Sequence, residues 1–405
     1  MTRTERQKSC IKRWLQAGGI GTIEAATGFG KTRMALLACK TLVSKISDAR
    51  ILIVVPTQVL KDQWLAQIDK WELSMNAHVE IVNTVIKQRW DVDLLCVDEC
   101  HRCGSDTFVN VFTCVDYKYI LCLTGTMERL DMRHLLIERY APICDRVSIE
   151  EAELNGWVAP HKEYVVMLDV DLSEYKELNK KFNNAFSFFG FQFDDAMRCS
   201  TDVRYRARWA KENHQELKVV TAMAMTFMRT MRNRKDFIQN HPKKLEIARK
   251  ILNARPNAKC ITFSPTIAMA EKIGIGMTMH SKKKAKENAE ILEKFNSMEC
   301  GVLNTSKSAD EGLDCKGINL EVILHTDSSK IRKKQRVGRA IRFEEGKTAE
   351  IFTLIVKGTQ EVTWFANSKV ANVITINESQ LDDVLAGKEV QSREREYVEN
   401  KEFRF

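Results

Sequence analysis

Apolar positions along the chain fall into two similar series separated by a stretch of different rhythm. From residue 20 to 125, short β-rich runs (Thr22–Ala25, Ile51–Val55, Val79–Val82, Leu94–Val97 and Tyr119–Leu123) alternate with longer segments. Two of those segments, Thr32–Lys45 and Gln58–Lys70, are helix-length. Strands alternating with helices predict a parallel sheet covered on both faces. A second series starts near Lys243, with runs at Cys260–Phe263, Met277–His280, Gly301–Leu303, Val322–His325 and Glu350–Leu354. Between about 172 and 242 the apolar spacing is helical, and aromatics cluster at Phe186, Phe188, Phe189, Phe191 and Phe193. The expected fold is α/β: two parallel-sheet domains with a helical basic insertion. The first domain covers 1–150, a linker strand and the insertion 151–242, the second domain 243–385, and a charged tail 386–405.

Composition narrows the class. The 405 residues are 44% apolar and 29% charged with 6 Pro, so the chain is neither disordered nor low in complexity. Uninterrupted apolar stretches such as Ile51–Val55 are strand-sized, well short of the roughly 18 residues that a membrane span needs. With no signal peptide at its start, the chain is expected in the cytoplasm, away from membranes. The 12 Cys are scattered, several in strand-like runs (Cys96, Cys122, Cys260), and read as reduced core residues.

Charge adds a second clue. The net charge is +9, and Arg198 to Lys250 alone holds 14 Lys and Arg against 5 Asp and Glu. That local surplus of nine equals the excess of the whole chain, so the remainder is neutral. A solvated helical face would carry such charges, and so would a surface for a polyanion.

Three motifs carry chemistry. Ala25-Ala26-Thr27-Gly28-Phe29-Gly30-Lys31-Thr32 follows a strand and opens a helix, the setting of a phosphate-binding loop. Gly28 and Gly30 let the backbone around Thr27 and Phe29 turn its N–H groups inward toward phosphate. Lys31 reaches the β- and γ-phosphates, and the Thr32 hydroxyl is placed for Mg2+; Ala25 stands where the pattern has its first Gly. Leu94-Leu95-Cys96-Val97-Asp98-Glu99-Cys100-His101 ends an apolar strand in adjacent carboxylates, at the sheet edge where α/β ligands sit. There Asp98 holds Mg2+ through water, and Glu99 orients and deprotonates the attacking water. Cys100 and Cys103, with Cys96 and His101 nearby, form one Cys-x-x-Cys that no second pair answers, so a tetrahedral metal site lacks ligands. The third motif, Gln335-Arg336-Val337-Gly338-Arg339-Ala340-Ile341-Arg342, spaces its arginines to fall near one helix face, with anionic phosphate as a natural partner.

In this order the three motifs resemble the DExH branch of the superfamily 2 helicases. Further segments are similar to the same family: Gln7 with Trp14 to the adenine-side motif, Val54-Val55-Pro56-Thr57-Gln58 to motif Ia, and Asn83-Thr84 to Ib. Leu123-Thr124-Gly125-Thr126 resembles motif III, with Met127 where Pro is frequent. Cys260-Ile261-Thr262-Phe263-Ser264 resembles motif IV, and Thr305 with Ser308-Ala309-Asp310-Glu311-Gly312-Leu313-Asp314 resembles motif V. The match spans most of residues 5–370 and is closest to compact helicases related to XPB, RecG and the phage UvsW type.

The resemblance implies two RecA-like domains with ATP and Mg2+ in the cleft between them. Lys31, Thr32, Asp98, Glu99 and His101 come from the first domain, and Gln335, Arg339 and Arg342 from the second, the arginines as fingers. Gly312 and Asp314 approach the ribose. Pro56, Thr57, Gln58, Asn83, Thr84, Ser264 and Thr305 grip the nucleic-acid backbone. Arg204, Arg206 and Arg208 of the insertion are expected beside them; Tyr205, Trp209 and the Phe cluster could stack on bases, but aromatic runs at helical spacing are more often packed core. The expected activity is ATP-dependent DNA unwinding or branch migration in replication, recombination or repair, by a monomer acting on single-stranded, forked or branched DNA. Remodelling of RNA, or service as the motor of a restriction or defence complex, are the alternative readings.

Overall fold

Every residue of the Ile51–Val55 run is buried, as a central strand covered on both faces requires. In the computed structural model, which describes residues 1–128, 131–306, 315, 317–326, 348–367 and 373–393, this run is β2 of the first of two sheets. The others are β1 (Ile20–Ala25), β3 (Ala77–Ile81), β4 (Trp90–Asp98), β5 (Val115–Thr124) and β6 (Ile143–Val147). Their spatial order is β3-β2-β4-β5-β1-β6, with every pairing parallel. Because β5 lies between β4 and β1, the turns that follow these three strands share one carboxyl edge. That juxtaposition builds the site.

The second sheet is also parallel and comprises β7 (His161–Leu168), β8 (Lys259–Ser264), β9 (Met277–Met279), β10 (Gly301–Ser306), β11 (Leu320–Ile323), β12 (Ala349–Val356) and β13 (Val373–Asn377). Its order is β13-β7-β12-β11-β8-β10-β9. The second domain therefore begins before residue 243: β7, expected as a linker strand, pairs with both β12 and β13. The insertion leaves this domain after β7 and returns before β8. The pattern of runs also passed over β6 and β13. Both are edge strands, only partly buried, and β6 carries Asp145 and Arg146 in its middle. Val82 opens a short helical turn instead of ending β3.

The insertion is four helices, Ser173–Phe188, Phe193–Thr201, Val203–Glu212 and Leu217–Asn240. Phe182, Phe186, Phe189, Trp209 and Phe227 form its core with Ala185, Ala196, Cys199 and Ala224. Phe182 and Phe186 lie 5.1 and 5.4 Å from Phe227 between ring centroids, and Phe189 lies 5.1 Å from Trp209. Most of the aromatic cluster is thus the apolar payload that holds these helices together. Tyr205 and Trp209 are committed as well, since their polar ends donate to Asp195 at 2.6 and 3.3 Å. Core packing, favoured for these aromatics over stacking on bases, is what the structure shows, while Phe191 and Phe193 remain about half exposed. Among the described residues no helix is long and apolar enough to cross a membrane.

Candidate active site

The phosphate-loop motif occupies the turn from β1 into the helix Lys31–Val43. Gly28 and Gly30 both have left-handed backbones, with φ of 87° and 100°. A side chain at Gly30 would clash as well, since a Cβ there would lie 2.5 Å from the Gln7 amide nitrogen. Gln7 is buried and spends both ends of its amide on the loop region. Its nitrogen donates to the Phe29 carbonyl at 2.7 Å, and its oxygen accepts from Arg33 at 2.8 Å. Arg3 adds a hydrogen bond to the same carbonyl at 3.0 Å and another to the Gly28 carbonyl. In this structure Gln7 therefore clamps the phosphate loop. Trp14 is buried with its indole donating to the Ile120 carbonyl at 2.8 Å.

Across the shared edge, β4 delivers Asp98 and Glu99. Glu99 has a left-handed backbone (φ 48°), uncommon away from glycine and found preferentially where a side chain must be aimed. Its carboxylate lies 3.7 Å from the Lys31 ammonium and 3.4 Å from His101 Nδ1. Burial works to raise the Glu99 carboxyl, but Lys31 and then His101 outweigh it and hold the group down at about 2. Asp98 goes the other way: burial first, then the neighbouring Glu99 charge, push it up to about 6. Trp64 donates to Asp98 Oδ2 at 2.9 Å from the helix Gln58–Lys70, and the Glu99 N–H donates to Oδ1 at 3.0 Å.

His101 Nδ1 is 3.0 Å from the Thr124 hydroxyl at the end of β5. That hydroxyl gives its one proton to the Thr126 carbonyl at 2.9 Å, so it accepts from His101, and Nδ1 carries the hydrogen. A Cβ on Gly125 would stand 3.2 Å from the Thr27 hydroxyl and 3.5 Å from Lys31 Nζ, so the segment Leu123–Thr126 closes directly over the loop. A cavity of about 410 Å3 opens beside it, lined by Thr27, Gly125, Glu24, Glu128 and Arg146 among others.

Thr32 at the start of the helix Lys31–Val43 and Asp98 at the end of β4 would be the residues to offer oxygens to a bound cation. No cluster of three or more metal-binding side chains occurs among the described residues. Two protein oxygens, with phosphate and water completing the shell, is a donor set that suits Mg2+.

The other expected positions divide. Pro56, Thr57 and Gln58 follow β2, and Asn83 and Thr84 follow its neighbour β3, so both segments lie on the same edge as the site. Thr57 caps the helix Gln58–Lys70, accepting from the Leu60 N–H at 3.3 Å, while Gln58 and Asn83 are exposed. Ser264 and Thr305 sit at the ends of the paired strands β8 and β10, but both are fully buried, and the Thr305 hydroxyl donates to the Thr262 carbonyl at 2.7 Å. Neither side chain is presented to a ligand, a correction to the expected grip. Arg206 is a second correction. It is 8% exposed, its guanidinium turned inward onto the Cys199 and Ser200 carbonyls. Arg204 and Arg208 are exposed, together with Arg198 and Lys211. Gly312, Asp314, Gln335, Arg339 and Arg342 lie outside the described residues.

The linear motifs passed over Arg3 and Trp64, which meet Gly28 and Asp98 from 25 and 34 residues away, and Arg33, which follows Thr32 and reaches back 26 residues to Gln7. Nothing in their own spacing marks them; only the fold brings them in.

Comparison with known proteins agrees with this geometry. The family described as "Type III restriction enzyme, res subunit" matches residues 1–93, and "Helicase conserved C-terminal domain" matches residues 243–344. The chain is 27% identical to the DNA 3'-5' translocase XPB2 of Sulfurisphaera tokodaii, over 88% of this chain and 82% of that protein. It is 22% identical to a Methanocaldococcus jannaschii protein named as a candidate ATP-dependent RNA helicase, over 85% of this chain and just 56% of that one. In structure it is similar to the Pyrococcus furiosus Hef helicase domain, with a TM-score of 0.59 at 17% identity, covering 89% of this chain and 98% of that domain. With two RecA-like sheets, a phosphate loop facing an acid pair and helicase-family matches at both ends, the chain is an ATP-dependent helicase of superfamily 2.

Proposed function

We propose that this helicase acts on DNA, converting ATP hydrolysis into movement along one strand to unwind or branch-migrate duplexes in replication, recombination or repair. The observation that carries the DNA reading is the likeness to a DNA translocase, sustained over 88% of the chain. The 3'-5' polarity in that relative's name is the polarity expected here.

In the proposed mechanism the phosphates of ATP lie against the N–H groups between Gly28 and Thr32. Lys31 exchanges Glu99 for the β- and γ-phosphates. Thr32 and Asp98 would hold Mg2+, which would supply positive charge to neutralise the phosphate oxygens. Glu99, released from Lys31 and aimed by its left-handed backbone, accepts the proton of the attacking water. His101 ties Glu99 to Thr124 and so to the strand between the loop and the acid pair. Arg339 and Arg342 of the second domain stabilise the transferring phosphoryl group, a contribution of about 10³–10⁵ in rate for such arginines. Removing either should lower kcat with ATP affinity little changed.

Nucleic acid is proposed to run along the first-sheet edge at Pro56–Gln58 and Asn83–Thr84, and past the exposed Arg204 and Arg208. Backbone contacts of this kind position a strand without reading its bases. The test is an ATPase and strand-displacement panel over single-stranded, duplex, forked and four-way DNA with matching RNA. Stronger stimulation by RNA than by DNA would favour the reading suggested by the M. jannaschii relative. Copurification with a nuclease subunit would instead point to a motor within a restriction complex.

A further inference from the structure

In a phosphate loop the backbone N–H groups face the ligand, so the intervening side chain points away from it. Here that side chain is Phe29, set between two left-handed glycines and fully buried. Its ring packs on Trp157, with centroids 5.4 Å apart and planes tilted by 51°. Trp157 is 4% exposed and lies between β6, the last strand of the first sheet, and β7, the first described strand of the second. It therefore sits in the covalent connection between the two domains.

That connection is not a slack tether. The Trp157 backbone N–H donates to the Ala152 carbonyl at 2.7 Å, tying the residue to the short helix Ile149–Leu154, and its indole N–H donates to the Met1 carbonyl at 3.3 Å. Glu151 of that helix accepts from Arg6 Nε at 2.8 Å, and Arg6 also pairs with buried Asp145 at 2.6 Å. Phe29, Trp157 and Val158 belong to one continuous apolar cluster that also contains Ile261, Phe263 and Ile351 of the second sheet. Meanwhile Arg3 and Gln7 grip the Phe29 carbonyl, so the residue is held by its backbone on one side and by its ring on the other.

Resting on the assignment of Gly28–Thr32 as the nucleotide loop, we infer that the Phe29–Trp157 contact transmits nucleotide occupancy to the interdomain connector. Trp157 is then a positioning residue for domain closure. When phosphates bind, the peptide planes on either side of Phe29 reorient, as the two glycines permit. The Phe29 ring turns with them, and in a close-packed interior its neighbour has to follow. A small rotation at the loop becomes a displacement at the root of the second domain, because packed interfaces have discrete arrangements and do not deform continuously.

The experiment compares the wild-type chain with Trp157→Phe and Trp157→Leu, using a non-hydrolysable ATP analogue with Mg2+ and then ATP with and without single-stranded DNA. The nucleotide-dependent change in tryptophan emission should be present in the wild type and lost in Trp157→Phe, which keeps an aromatic ring and near-normal turnover. Trp157→Leu should hold ATP affinity and DNA-independent turnover within about two-fold while DNA-stimulated kcat falls about five- to ten-fold. A packing role alone predicts that the basal and stimulated rates fall together with the folded fraction. Should Trp157→Leu fail to fold, the emission comparison decides by itself. Emission that changes equally in wild type and Trp157→Phe overturns the inference, as does full stimulation in a folded Trp157→Leu. If the analogue does not bind the wild-type chain, it is the loop assignment that fails.

Discussion

The first-sheet edge and the helical insertion handle charge in opposite ways. At the edge, Lys31, Asp98, Glu99 and His101 are drawn together and largely removed from water, where the states of Asp98 and Glu99 depend on their neighbours. In the insertion an aromatic core is buried, and most of the basic excess stays outside, with Arg206 and Arg234 as buried exceptions. Holding unlike and like charges in a shielded space opposes folding unless a compensating task keeps them there. The edge therefore reads as chemistry, and the insertion as a folded platform whose useful groups are on its surface.

The sharpest way to break this contrast is at Lys31. Lys31→Ala should reduce ATP turnover by about 10³-fold or more, since the transferred phosphate loses its cation in a water-poor site. Retained turnover in a steady-state ATPase assay would remove the edge from the chemistry altogether. Glu99→Gln comes next. It should bind ATP normally and hydrolyse it about 10²-fold more slowly, because the amide keeps the shape and cannot take a proton. Equilibrium binding of a labelled nucleotide separates that outcome from a structural role for Glu99. A smaller effect is expected from Trp64→Phe, which leaves Asp98 Oδ2 without its indole donor; losing such an orienting partner costs about ten-fold, read as a raised Mg2+ requirement in the same assay.

The contrast also explains what was legible in the sequence. The loop glycines, Lys31 and the acid pair lie within a few residues of a strand end, so short-range patterns suffice to place them. The alternation of strands and helices likewise announced two parallel sheets. Of the edge strands, β3 and β9 were announced by their apolar runs and β6 and β13 were not: in β6 Asp145 answers Arg6 and Arg13, partners more than a hundred residues away. Which arginines of the insertion face inward was equally hidden. Arg204 and Arg208 stand four apart and share a helix face with Arg206 on the opposite side, but spacing alone does not say which face is buried. Ser264 and Thr305 matched motifs by type, yet both lie on interior strands of the second sheet, β8 and β10, and both side chains are buried.

Those three arginines supply the last and smallest tests, and the two halves must diverge. Arg206 holds the end of the preceding helix by donating to the Cys199 and Ser200 carbonyls. Arg206→Met leaves those carbonyls unpartnered at a cost of about 1–3 kcal/mol. Faster amide hydrogen exchange should follow in Phe193–Glu212, with the salt dependence of DNA binding unchanged. Arg204 and Arg208 are exposed, and Arg208 has loose partners, Glu212 at 3.8 Å and the Tyr205 ring at 5.1 Å. Replacing both by Ala should leave exchange and DNA-independent ATPase intact. If each neutralises one phosphate, the slope of log K against log salt shrinks by about 0.7–0.9 per residue. An unchanged slope would confine the DNA grip to the sheet edge. A slope that changed with Arg206→Met and not with Arg204 and Arg208 would reverse the assignment of inner and outer arginines.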